Sequence, residues 1–194
     1  MSIITNKIEV HWNYFLAIEK DIDRLSRYVE FADDNFETYS IELARLLLAS
    51  AAEVDVVCKQ VCRDLNPAST ADNINNYRSE LRKAYPTLHA FEVSMPRYGL
   101  QLRPWDEWKN AKGVPFWWTA YNKIKHNRNV EYKRANLKNA LNAFAGLFIV
   151  TLYLYKTKAE LGELVPNPQL LRVGADHFAG TTHDGHEFGT NYSL

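Results

Sequence analysis

A chain of 194 residues with 46% hydrophobic and 13% aromatic side chains is long enough for one domain with a sizeable core. Its 23 Lys and Arg balance 23 Asp and Glu, so no overall charge draws it to nucleic acid or membrane, and the composition excludes global disorder. The two cysteines, Cys58 and Cys62, lie four apart on one face of a helical pattern, which fits small apolar core residues in a reducing compartment better than a disulfide or a metal site.

Residues 1–6 lack the basic and then apolar pattern of a secretory signal. The most apolar run, 143–155, is shorter than the about 20 residues that a spanning helix needs. These features predict a soluble, cytoplasmic protein with no membrane partner.

The first helix is predicted over residues 7–30, because Ile8, Trp12, Phe15, Ile18, Ile22, Leu25 and Val29 recur at spacings of three and four. Asn6 and Glu9 have the spacing of a capping pair. A second helix is predicted over 40–65, capped by Ser40 or Thr38 and stopped by Asn66-Pro67. A shorter helix over 73–84 ends before Pro86. The period then changes from helical to alternating. Phe91, Val93 and Met95, then Leu100 and Leu102, flank the turn-forming Pro96-Arg97-Tyr98-Gly99, which predicts a β-hairpin within about 89–104.

Pro104 to Trp108 predicts a short helix or turn, and a further helix begins near Pro115 and is interrupted around residues 127–129. The last helix is predicted over 133–161, and its stretch 143–155, apolar nearly all round, makes it the central helix. The predicted fold is all-α: an antiparallel helical bundle over 1–162 with a small β-hairpin insertion. Residues 163–194, rich in Gly and Pro, form a tail that is either a docked arm or disordered.

Charge is unevenly spread. Between Lys109 and Lys138 there are eight Lys and Arg and one acid, Glu131, whereas acids dominate near residues 21–37. A basic face for a polyanion and mutual neutralisation across the fold both fit this pattern. The segment Pro115-Phe116-Trp117-Trp118-Thr119-Ala120-Tyr121-Asn122-Lys123-Ile124-Lys125-His126-Asn127-Arg128 concentrates aromatics and cations on one helix, as a half-buried cleft wall would. At helical spacing Tyr121, Lys125 and Arg128 share one face, and Asn122, His126 and Asn129 share the next, so two amides flank the imidazole. A histidine beside cations suits acid–base work on a phosphodiester. The cations hold the phosphate while the imidazole moves a proton from a ribose 2′-hydroxyl. A satisfied structural polar network fits the same residues.

This segment resembles the HEPN superfamily of helical domains, whose members carry Arg, often followed directly by Asn, then a short spacer and His. Asn122 matches the Asn and His126 the His; Tyr121 stands where the family has Arg, and Arg128 follows two residues after the His. The resemblance implies a metal-independent endoribonuclease, or a catalytically degenerate RNA-binding or regulatory module, in bacterial defence, stress or toxin–antitoxin systems. It further implies a homodimer, a cognate antitoxin or nucleotidyltransferase partner, and no cofactor. In the nuclease form His126 is the acid–base, with Asn122, Tyr121, Lys125 and Arg128 around it and Lys125 or Arg128 replacing the missing cation. RNA contacts are expected from Lys123, Lys125, Arg128, Lys133 and Arg134, with Trp117 and Trp118 stacking bases, although core packing is the commoner role of such tryptophans, Trp105 and Trp108 included. A protein-interaction module without nucleic acid is the third class.

Elsewhere Glu42 and Glu53 share one side of the second helix, facing solvent or a base such as Lys125. Arg82 and His89 have the family's loose spacing, but Pro86 intervenes. His177, His183 and His186 cluster in the tail; the ordering cost of a Gly-rich segment argues against a metal there, and none is expected.

Overall fold

The computed structural model describes residues 8–183 and 188–194. Ser40 starts the longest helix, α2 (Ile41–Leu65): its hydroxyl accepts a hydrogen bond from the Leu43 N–H at 3.1 Å, and Asn66 before Pro67 ends it. α1 (Val10–Leu25) keeps the expected stripe, burying Trp12, Phe15, Ile18, Ile22 and Leu25. It stops earlier than the spacing suggests, because the chain turns after Leu25. Glu9 occupies its N-cap without a capping bond and pairs with Lys158 instead, while Asn6 lies outside the described residues. α3 (Ile74–Ala84) is capped by the Asn73 side chain, which accepts from the Asn75 and Asn76 N–H groups.

The hairpin forms as expected. β1 (Val93–Met95) pairs antiparallel with β2 (Leu100–Leu102), with Val93 opposite Leu102, and Gly99 closes the turn in the left-handed region at φ 66°. Val93, Met95, Leu100 and Leu102 face the core. A lone two-stranded ribbon is marginal in water, and here the core contacts support it.

α4 (Phe116–Glu131) follows the tryptophan-rich loop. The single helix expected over 133–161 is instead three pieces. A 3-10 turn at Tyr132–Arg134 precedes α5 (Leu137–Leu154), which Asn136 caps by accepting from the Asn139 N–H at 3.0 Å. A break at Tyr155 then separates α6 (Lys156–Leu161). The Tyr155 hydroxyl accepts the His11 backbone N–H at 3.3 Å, tying this break to the start of α1. α5 is the centre of the bundle. Every residue from Asn139 to Tyr153 is buried, and α1, α2 and α4 all pack on it, α2 most extensively. By length and composition α5 is apolar enough to cross a membrane, but that apolar surface is packed against the rest of the protein. Phe15 of α1 stacks on Phe144 and Phe148 of α5, with ring centroids 5.1 and 5.2 Å apart.

The tail is a docked arm. Leu164, Leu170, Leu171 and Tyr192 are buried, and β3 (Arg172–Val173) adds antiparallel to the free edge of β1. The buried Glu19 carboxylate of α1 accepts hydrogen bonds from the backbone N–H groups of Gln169 and Leu170, at 3.0 and 2.9 Å. Burial pushes its pKa above the usual carboxylate range, against the opposing pull of those N–H groups and of Arg172. β4 (Phe178–His183) and β5 (Phe188–Tyr192) form a second hairpin, with β5 against α6. A side chain at Gly189 would put its Cβ 1.6 Å from the Gly162 carbonyl oxygen. Gly189→Ala is therefore expected to push this hairpin off α6, costing about 1–3 kcal/mol in denaturant unfolding and speeding proteolysis of the tail while the helical core persists.

Candidate functional site

α4 is amphipathic in a specific way. Trp117, Trp118, Ala120, Tyr121 and Ile124 are buried, while Asn122, Lys123, Lys125 and His126 face solvent. Four of the five tryptophans form one buried chain, with centroid separations of 4.2 Å for Trp105–Trp108, 5.2 Å for Trp105–Trp117 and 5.8 Å for Trp117–Trp118. The Trp117 indole N–H donates to the Pro104 carbonyl at 2.6 Å. Trp117 and Trp118 are 0% and 5% exposed, so no ring face is left for a base, and their expected role in RNA stacking gives way to core packing. Tyr121 is corrected in the same way. Its ring packs beside Trp118 on the buried side of α4, and Lys125 lies over it with Nζ 5.5 Å from the centroid, so it supports a cation and is not a group on the open face with His126.

The helix breaks where the sequence suggests. Asn127 leaves the helical region, at φ −137° and ψ 40°. The break redirects Arg128 and Asn129, which together with Lys125 and His126 rim an open groove of about 900 Å³ against α2. Ile41, Ala44 and Leu48 of α2, Ile124 and Tyr132 supply its apolar walls. Among the described residues no carboxylate lines this groove, and neither Lys125 nor Arg128 has an acidic partner within 4 Å. Among the described residues neither of the flanking amides, Asn122 and Asn129, makes a hydrogen bond to His126; the break at Asn127 moves Asn129 off the ideal helical phase, and Asn122 turns its amide to solvent. His126 faces the solvent and makes no side-chain hydrogen bond among the described residues.

The remaining cations divide into two kinds. Arg134 is bound to Glu131 at 2.5 Å and Lys123 lies 3.9 Å from the same carboxylate, so both are partly neutralised. Arg134, and to a lesser degree Lys123, hold the Glu131 pKa below the usual range. Lys133 stands exposed beside a second hollow of about 710 Å³, where Lys138 lies over the Phe116 ring at 5.3 Å.

Other sequence candidates have structural employment. Glu42 binds Arg45, which also holds Asp21, and Glu53 binds His11, so neither reaches Lys125. Arg82 donates to the Lys109 carbonyl, and His89 bonds the Pro86 carbonyl. His177 stacks on Phe91 at 3.7 Å and bonds the Ser193 carbonyl, and His183 packs on Phe188. His186 lies outside the described residues, among which no three metal-ligating side chains gather. Cys58 and Cys62 are buried and free, and burial pushes the Cys62 thiol up to about 12, so neither thiol is a ready nucleophile.

One cluster was not anticipated. The His11 Nδ1 lies 2.6 Å from the Glu53 carboxylate, and its Nε2 lies 3.1 Å from the Gln60 side-chain oxygen. The seven-residue spacing of Glu53 and Gln60 on α2 was the available signal.

No protein-family model, curated protein or solved structure matches the chain.

Proposed function

We propose that the groove between α2 and α4 binds RNA through its phosphates, and that the chain is a HEPN-like RNA-binding or regulatory module of a bacterial defence or stress system. The observation that carries this reading is the pairing of an acid-free groove wall with three cationic or protonatable side chains, Lys125, His126 and Arg128. With no acid beside them, these charges attract a phosphate without an opposing local repulsion, and because they are exposed the attraction weakens as salt rises. The motif resemblance adds a homodimer and a cognate antitoxin or nucleotidyltransferase partner as expectations of the same proposal.

A second reading, a metal-independent endoribonuclease, is favoured by one feature: His126 is exposed, unbonded and in the same groove as Arg128, as a general acid–base beside a phosphate clamp requires. One experiment separates the readings. Full-length protein and His126→Ala are incubated with labelled single-stranded RNA in EDTA, and both binding and cleavage are followed. Binding by both proteins without cleavage is the expected result. Cleavage by the parent that disappears in His126→Ala selects the nuclease. Absence of both binding and cleavage rejects RNA as the ligand and leaves the protein-interaction class.

A further inference from the structure

The His126 groove does not end at Tyr132. The same ring also walls the second hollow, so the two basins are neighbours separated by one aromatic side chain. Tyr39 stands edge-on to Tyr132, with centroids 5.6 Å apart and planes at 83°, and is itself 43% exposed. Each basin has cations without a carboxylate partner among the described residues: Lys125 and Arg128 on one side, Lys133 and Lys138 on the other. A phosphate site alone would need only one of these basins. Glu37 and Glu131 also line the second basin, but Glu37 accepts from the Asn136 amide and Glu131 is paired with Arg134, so with Lys133 and Lys138 that basin keeps a small net positive charge. Two such basins divided by an exposed aromatic side chain have the alternation of backbone clamps and stacking platform that unpaired nucleic acid requires.

We propose that Tyr39 and Tyr132 form a base-stacking ridge, across which an unpaired RNA strand passes from the Lys125–Arg128 basin to the Lys133–Lys138 basin. This rests on the reading of the groove as an RNA site and adds the strandedness of the ligand and the residues that select it. A duplex keeps its base faces stacked internally and offers the ridge nothing, whereas a single strand splays a base onto it. The phosphate beside that base then lies at the His126 end. The ridge takes over the stacking role that the buried Trp117 and Trp118 are unable to fill.

The test compares three probes of about twelve nucleotides by fluorescence anisotropy on the full chain: a single strand, the same sequence as a duplex, and a fully abasic strand of equal charge. The expected result is that the single strand binds about tenfold tighter than either control. Tyr39→Leu, with Tyr132→Leu as a second variant, brings single-strand affinity down to that of the abasic strand. Equal affinity of the parent for all three probes overturns the ridge but leaves phosphate binding intact. Failure to bind any probe overturns the RNA reading as well. The comparison of probes on the parent holds even if a leucine variant fails to fold.

Discussion

Trp117→Ala is expected to lower the stability of the fold by about 3–5 kcal/mol, read as a fall in the denaturant midpoint with little change in slope. The side chain is 0% exposed, and its ring carbons lie 3.0 to 3.5 Å from where a Cβ would stand on Gly146 of α5. Truncation therefore opens a cavity between α4 and the central helix, and it also orphans the Pro104 carbonyl that the indole N–H satisfies. A loss below about 1 kcal/mol would mean that the ring is not packed in the core and would restore it as a ligand contact. Trp117→Phe keeps most of the volume and loses the hydrogen bond, so its cost is expected to fall between parent and alanine.

The second large effect is on the ligand. Lys125→Gln with Arg128→Gln is expected to weaken single-stranded RNA binding by roughly 10- to 100-fold at low salt. Both side chains are exposed, and neither has an acidic partner within 4 Å among the described residues. Stability should therefore stay within about 1 kcal/mol of the parent, because no ion pair is lost and only the exposed Lys125–Tyr121 cation–π contact is removed. Arg134→Gln is the internal control. Its guanidinium is already bound to Glu131, so removing it frees one acid for each cation lost, and affinity should fall no more than in the double variant. An RNA affinity unchanged in the double variant would show that the groove is not the phosphate site.

Much of the architecture was written locally. The stripe on α1, the Ser40 cap and Asn66-Pro67 stop of α2, the alternation around Gly99 and the break near Asn127 each depend on residues within a few positions of one another. What could not be read depends on partners far along the chain. The Glu19 carboxylate meets backbone N–H groups 150 and 151 residues away, and β3 completes a sheet begun at Val93. Nothing local marks the break at Tyr155, which has neither Gly nor Pro beside it and is tied instead to His11.

The site was legible in part for the same reason. His126, Lys125 and Arg128 are neighbours in sequence, and the structure gathers them on one groove. The face to which the aromatics of α4 turn was open in the sequence, since indole and phenol rings suit a core more often than a ligand but serve both. Burial decided it against Trp117, Trp118 and Tyr121. The Tyr39–Tyr132 pair has no local signature, because the two rings lie on different elements and meet where residues 36–39 bond the backbone at the start of α5.

The most direct test of the central claim is the salt dependence of single-stranded RNA binding by the unmodified chain. If the cationic groove holds about three phosphates, the logarithm of the association constant falls linearly with the logarithm of salt concentration, with a slope near −2. Binding that is indifferent to salt, or no detectable binding at the lowest ionic strength, would contradict it.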